Sequence, residues 1–289
     1  MSMMIDDDMV VLPPYPILTP LRPRASRTRS DTNLVFELAI TAFRLKYAGS
    51  LLGYVWSLVK PLLLFGMMYA FFAGFLHVGA AAPDENFAVE LLLGIVVWSF
   101  FSEATNSGLF AVVGNSDMVR KAYFPRWILV VSATLSSAMT LALNLGLVAV
   151  IGGLLHWFSF SLASLLFIPL LFELYLLAIG LALLLSSAFV YFRDLSHVWE
   201  VVLQGLFFAS AILIPLAAVP PKYRFIVELN PVAQIIGDMR RSIVSPNVPY
   251  WSTNLLGGWT FVPPMITVLL VVGGAAVFLR LSRRVGQHL

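Results

Sequence analysis

Residues 46–72 read KYAGSLLGYVWSLVKPLLLFGMMYAFF. From Leu51 onward the run is apolar and long enough to cross a bilayer, which takes about 20 residues. Lys60 and Pro61 interrupt it. A cation is costly in hydrocarbon, and proline removes a helical N–H. Such a stretch fits a protein with a polar interior, where neighbouring groups or water can satisfy the carbonyl that the proline frees. Composition decides for the membrane. The chain of 289 residues is 60% hydrophobic and 11% charged, with a mean hydropathy of +0.89. A soluble domain is about 45–50% apolar and about 25% charged.

The remaining composition excludes several chemistries. With no cysteine there are no disulfides and no thiolate metal sites. His77, His156, His197 and His288 are scattered and form no ligand spacing. The pI of about 9.3 would suggest nucleic acid in a soluble protein; in a membrane chain the excess of basic residues in cytosolic loops accounts for it, and no nucleic-acid partner is expected.

Six stretches qualify as spans: 51–76, 88–112, 127–154, 161–190, 198–218 and 261–279. Placing the N-terminus inside puts 13 Lys and Arg on the cytosolic side and leaves Lys222, Arg224, Arg240 and Arg241 outside, so both termini are expected in the cytosol. Residues 1–30 combine Asp6, Asp7 and Asp8 with a proline-rich and then an arginine-rich segment. They lack the order of a cleavable signal and read as a flexible cytosolic tail. Residues 285–289 read as a short cytosolic tail as well.

Two segments are too polar or too short to span. In 31–47 apolar Leu34, Val35, Leu38, Phe43 and Leu45 alternate with Asp31, Glu37, Arg44 and Lys46, behind possible N-caps at Asp31, Thr32 and Asn33. This reads as an amphipathic helix at the cytosolic membrane surface. Residues 220–245 hold two short apolar pieces around Asn230-Pro231. Re-entrant or interfacial helices are expected there, with Pro231 near the start of the second. The fold class is therefore all-α and membrane-integral, with the transmembrane domain over 48–284.

No GxxxxGK[ST] loop, GxSxG or HExxH occurs, so no nucleotide site and no catalytic set is read from this chain. Any ATP and Mg²⁺ belong to another subunit. The loop GNSDMVRKAYFPR, residues 114–126, carries Asp117, Arg120 and Lys121 at helical spacing, with Asn115, Ser116 or Asp117 as possible caps. A charged turn that fixes topology and a docking helix for a soluble partner both fit.

Four motifs in order, KYAGSLLGYVWSLVKPLLL, NSDMVRKAYFPR, AFVYFRDLSHVWEVVLQ and VELNPVAQIIGDMR, resemble the membrane subunit of ABC-2 type exporters for cell-surface polysaccharides, a group that includes O-antigen and teichoic-acid permeases. The resemblance covers roughly residues 31–284. The family pattern has Asn before the proline where this chain has Lys60. The resemblance implies a homodimer in the bacterial inner membrane, two copies of a separate ATP-binding subunit, and a substrate carried on a polyprenyl diphosphate. It implies a coupling helix with Asn115, Ser116, Asp117, Met118, Arg120 and Lys121 docked on the ATPase, and an interface helix with Glu37, Arg44 and Lys46. It also implies an outer gate with Pro220, Lys222, Tyr223, Asn230, Pro231, Arg240 and Arg241.

Sugars present apolar C–H faces and hydroxyls, so a glycan path is expected to offer aromatic platforms with polar groups between them. Candidates are Tyr54, Trp56, Phe65, Tyr69, Trp98, Phe101, Phe207 and Phe208; packing and interfacial belts are the competing uses of such residues. Lys60 and Glu103 fall at similar depth on consecutive spans, so they are expected to form a water-accessible pair, with Glu173 as a second interior group. The alternatives are an ABC-2 permease for a small drug or lipid and, from another class, a membrane-embedded glycosyl or lipid transferase.

Overall fold

A computed structural model describes residues 25–48, 53–75, 87–121, 124–158, 162–213, 222, 227, 229–244 and 261–282. All regular structure among them is helical. In chain order the helices are α1 (Ala25–Tyr47), α2 (Val55–Tyr69), α3 (Phe87–Gly114), α4 (Ser116–Lys121), α5 (Trp127–Leu154), α6 (Phe167–Phe189), α7 (Leu195–Ala209), α8 (Pro231–Ile243) and α9 (Val262–Ser282). A π-helical turn, Ala70–Phe75, extends α2, and a 3₁₀ turn, Leu162–Leu166, leads into α6.

Among the described residues, five helical stretches are long and apolar enough to cross a membrane: Val55–Phe72, Phe87–Gly114, Trp127–Leu154, Ser164–Phe189 and Val262–Leu281. The chain is a multi-pass membrane protein. Helix α3 is its axis. Apolar side chains all around it, from Val89 to Val112, are buried against α2, α5, α6 and α8. A helix that is apolar on every side is expected to be buried either in protein or in lipid; here the neighbouring helices supply the burial.

The expected span over 198–218 is not one helix. Helix α7 has 15 residues, about 22 Å at ~1.5 Å per residue, short of the ~30 Å hydrocarbon layer. It stops at Ala209 because the carbonyls at its end find partners elsewhere. Asn230 Nδ2 donates to Ala209 O at 3.2 Å, and Arg240 donates to Ala211 O at 3.0 Å and to Ile212 O at 2.8 Å. Ala211 takes a positive φ of 50° at this turn. Hydropathy continues across the turn, whereas the hydrogen bonding does not.

The first amphipathic segment starts earlier than expected. Helix α1 already runs at Ala25, so Asp31, Thr32 and Asn33 lie inside it and cap nothing. No proline or glycine interrupts Ala25–Tyr47, and weak internal cap formers do not stop a helix that packs. Val35 and Ala39 bury against the bundle, and α1 lies along α5. Pro61 sits inside α2 without ending it and is itself buried. Residues 25–30 of the expected flexible tail belong to α1, because the helix that packs on the bundle continues through them without a proline or glycine; the rest of that tail, 1–24, and the C-terminal tail, 285–289, lie outside the described residues.

Helix α8 begins as the sequence implies. Asn230 accepts from Val232 N at 3.0 Å, and Pro231 occupies the first turn, where its missing N–H costs nothing. Val232, Ile235, Ile236 and Met239 are buried. Helices α6 and α9 approach closely at Gly180 and Gly274. A Cβ on Gly180 would stand 2.8 Å from Val271 N, and one on Gly274 would collide with the Gly180 carbonyl. Small residues that let backbones touch are a common means of packing helices in lipid.

Candidate functional site

Between α1, α2, α3 and α5 lies a cavity of about 440 Å³. Lys46, Ser57, Lys60, Trp98, Glu103 and Asn144 are among its walls, with Ser102, Ser137 and Thr140 adding hydroxyls. Lys46 Nζ forms an ion pair with Glu103 Oε1, and both side chains are about two-thirds buried, at 33% and 27% exposure. This corrects the expected Lys60–Glu103 pair. Depth along the helices placed Lys60 level with Glu103. Depth takes no account of α1, whose last turn packs close enough to bring Lys46 to the carboxylate first. Lys60 lines the same cavity without an ion-pair partner among the described residues.

Several polar groups of the cavity are bound back to their own helices. Ser57 Oγ donates to Tyr54 O at 2.7 Å, and Asn144 Nδ2 donates to Thr140 O at 3.0 Å. Such hydroxyls keep acceptor lone pairs. Asn144 is only 4% exposed, and its Oδ1 has no hydrogen-bond partner among the described residues.

The ion pair makes a test in itself. Lys46→Met and Glu103→Gln, singly and together, are expected to show a coupling energy of about 1 kcal/mol, the upper part of the range for partly exposed pairs. Lys60→Met combined with Glu103→Gln is expected to be nearly additive. Thermal unfolding of the purified chain in detergent reads both cycles. Additivity in the first cycle would remove the Lys46–Glu103 pair.

A second polar centre lies where α8 meets the starts and ends of other helices. Arg240 Nε donates to Glu90 O at 3.0 Å, while Nη1 and Nη2 hold the two carbonyls beyond α7. The guanidinium is buried; this burial lowers its pKa from the ordinary arginine value, and the nearby Glu90 charge opposes the shift. Gly94 leaves the space, since a Cβ there would stand 2.5 Å from Arg240 Nη2. Gln234 Nε2 donates to Asp238 at 2.8 Å. Glu173 on α6 stands in the electrostatic field of Asp238, and its buried Oε1 has no hydrogen-bond partner among the described residues.

The other expected site residues divide by exposure. Tyr54 is exposed and stacks on Phe43, with ring centroids 5.2 Å apart; Trp56, Tyr69 and Phe208 are also exposed. Phe65 and Phe207 are half-buried, and Phe207 meets Trp98 edge-on at 5.7 Å. Phe101 is 1% exposed and packs in the core around α3, so as placed it lines no surface. Its ring fills the same continuous apolar core that makes α3 the axis, which a count of aromatics does not reveal.

Helix α4 comes directly after the end of α3. Asn115 does not cap it with its side chain; Nδ2 turns back to Ala111 O at 2.8 Å, while the Asn115 carbonyl accepts from Met118 N. Asp117 and Met118 are exposed, Ser116 is half-buried, and the side chains of Arg120 and Lys121 lie outside the described residues. On α1, Glu37 and Arg44 are exposed. Of the expected outer gate, Lys222 is exposed, Asn230, Pro231, Arg240 and Arg241 belong to the α8 centre, and Pro220 and Tyr223 lie outside the described residues. Sequence reasoning missed the roles of Lys46, Gly94 and Asn144. The one available signal was a polar Asn144 inside a span.

Residues 33–244 match the ABC-2 type transporter family. An O-antigen export system permease protein of Klebsiella pneumoniae is 25% identical over 268 residues, which is 91% of this chain and 99% of that protein. One from Myxococcus xanthus is 26% identical over 70% of this chain and 77% of its own length. A polysialic acid transport protein of Escherichia coli is 24% identical over 73% of this chain and 81% of its own length. With the match running through the polar cavity, the α4 helix and the α8 centre alike, the chain belongs to the ABC-2 type transporter family.

Proposed function

We propose that this chain is the membrane subunit of an ATP-driven exporter that moves a lipid-linked cell-surface polysaccharide out of the cytosol. The likeness to an O-antigen permease over 91% of the chain, and to a polysialic acid transport protein over 73% of it, carries this reading. The chain works as a homodimer in the bacterial inner membrane, with both termini in the cytosol and two ATP-binding subunits that hold ATP and Mg²⁺. Helix α4 is the cytosolic docking element: its exposed Asp117 and Met118, with Arg120 and Lys121, seat on the ATPase and pass its closure to α3 and α5. Helix α1, with Glu37 and Arg44, lies at the cytosolic interface. Helix α8 with its Arg240 centre shapes the outer mouth. Two cytosolic termini need an even number of crossings, so beyond the five long helices the region of α7 supplies a sixth. Tyr54, Trp56, Tyr69 and Phe208 face the glycan path across the dimer.

Deleting the gene in its own host, with the partner ATPase intact, is expected to trap polymer inside the cell and strip it from the surface. Normal surface polymer in that strain would defeat the reading. Arg120→Glu with Lys121→Glu is expected to weaken copurification of the ATPase or to leave ATP hydrolysis running without export. Unchanged copurification together with unchanged export would remove α4 as the docking element.

A further inference from the structure

The walls of the α1–α2–α3–α5 cavity have a lopsided chemistry. Two lysines and one glutamate line it. The Lys46–Glu103 pair cancels two of the three charges, leaving the Lys60 ammonium as an uncompensated cation among the described residues. Trp98, Ser99 and Ser102 add donors to the lining, but several of the other polar groups offer acceptors. Asn144 Oδ1 is buried without a partner. Ser57, Ser137 and Thr140 spend their hydroxyl protons on Tyr54 O, Ala133 O and Ser136 O, which leaves lone pairs. Trp98 adds an aromatic wall at 7% exposure. A buried carbonyl without a donor is costly, and Lys60, an exposed residue that lines the cavity, has no anion beside it among the described residues. One ligand answers both: an anion that also carries hydroxyl donors. The volume of about 440 Å³ lies within the ~300–1,000 Å³ usual for small-molecule sites.

We infer that this cavity is a binding site for a hydroxyl-bearing phosphate headgroup, with the phosphate at Lys60 and a hydroxyl donating to Asn144. Two sources share that chemistry: the sugar phosphate at the lipid end of the exported glycan, and the glycerol phosphate of phosphatidylglycerol. The first source rests on the function proposed above; the binding chemistry does not. The Lys46–Glu103 pair is a positioning element. It holds the carboxylate away from the phosphate and ties the end of α1 to α3.

The test is equilibrium binding by native mass spectrometry, on the purified full chain in phosphatidylcholine nanodiscs. The probes are farnesyl-diphosphate-linked glucose, phosphatidylglycerol and, as the phosphate-free control, farnesol. The glucose probe is expected to bind and farnesol not to. Lys60→Met is expected to weaken the probe about tenfold or more, as loss of a charge-assisted contact does, while Lys60→Arg stays within about threefold. Asn144→Asp keeps the side-chain shape, adds repulsion and is expected to weaken binding as well. It serves as the deciding variant if Lys60→Met does not fold. Competition by phosphatidylglycerol at equal strength assigns the phosphate to bulk lipid and upholds the site; no competition assigns it to the glycan carrier. Equal binding of farnesol, or unchanged probe affinity in both variants, overturns the site. No step requires ATP or export, so a failed export assay with positive binding would count against the proposed function alone.

Discussion

Replacing Arg240 with methionine is expected to cost this protein about 3 kcal/mol of stability, since three partly buried carbonyls lose their donor at about 1 kcal/mol each, the lower end of the range for buried groups. The three are Glu90 O, Ala211 O and Ile212 O. Two belong to the turn that ends α7 and one to the first turn of α3, so one side chain joins three separate parts of the chain. Arg240→Lys keeps the charge but not the planar fork and is expected to restore only part of the loss. Gly94→Leu is expected to reproduce the defect, because even a Cβ at that position meets Arg240 Nη2. Thermal unfolding in detergent measures the stability, and hydrogen exchange at residues 209–213 reports whether the turn opens. Unchanged unfolding and unchanged exchange in Arg240→Met would show that the clamp contributes nothing.

Gly274→Val is expected to be comparably severe. Any side chain on Gly274 meets the Gly180 carbonyl, which is backbone and cannot rotate away. Helices α6 and α9 would have to separate along their shared face. Overpacking typically costs about 1–3 kcal/mol, and a rigid backbone neighbour puts this site at the upper end. Gly180→Ala is expected to fail for the reciprocal reason. The neighbouring Gly273→Ala is the control: nothing lies within 4 Å of its Cβ, so it is expected to change stability by less than about 0.5 kcal/mol. Equal unfolding temperatures for Gly274→Val and Gly273→Ala would refute the close approach.

Hydropathy and loop charge alone identified a multi-pass helical membrane protein, and five of the six expected spans correspond to helices long enough to cross. Four ordered motifs pointed to the family, and the start of α8 near Pro231 was legible because the fit of proline to a first helical turn is local. Lys60 and Glu103 were rightly marked as unusual, because a charge inside an apolar run is visible in one dimension. The partner of Glu103 was not visible. Lys46 reaches Glu103 because α1 packs against the bundle, and α1 is joined to α3 only through folded space. The end of α7 was misjudged for the same reason. The apolar run passes through Ile212, but the chain turns where Asn230 and Arg240, 21 and 28 residues on, take its carbonyls. Phe101 and Glu103 sit two residues apart on α3, yet one fills the core and the other faces the cavity. Hydropathy is a sum over neighbours in sequence, so the sequence by itself determined which segments prefer lipid and where a local cap starts a helix. Ion pairing, carbonyl capture and backbone contact at glycine depend on distances between segments, and only the tertiary structure decided those.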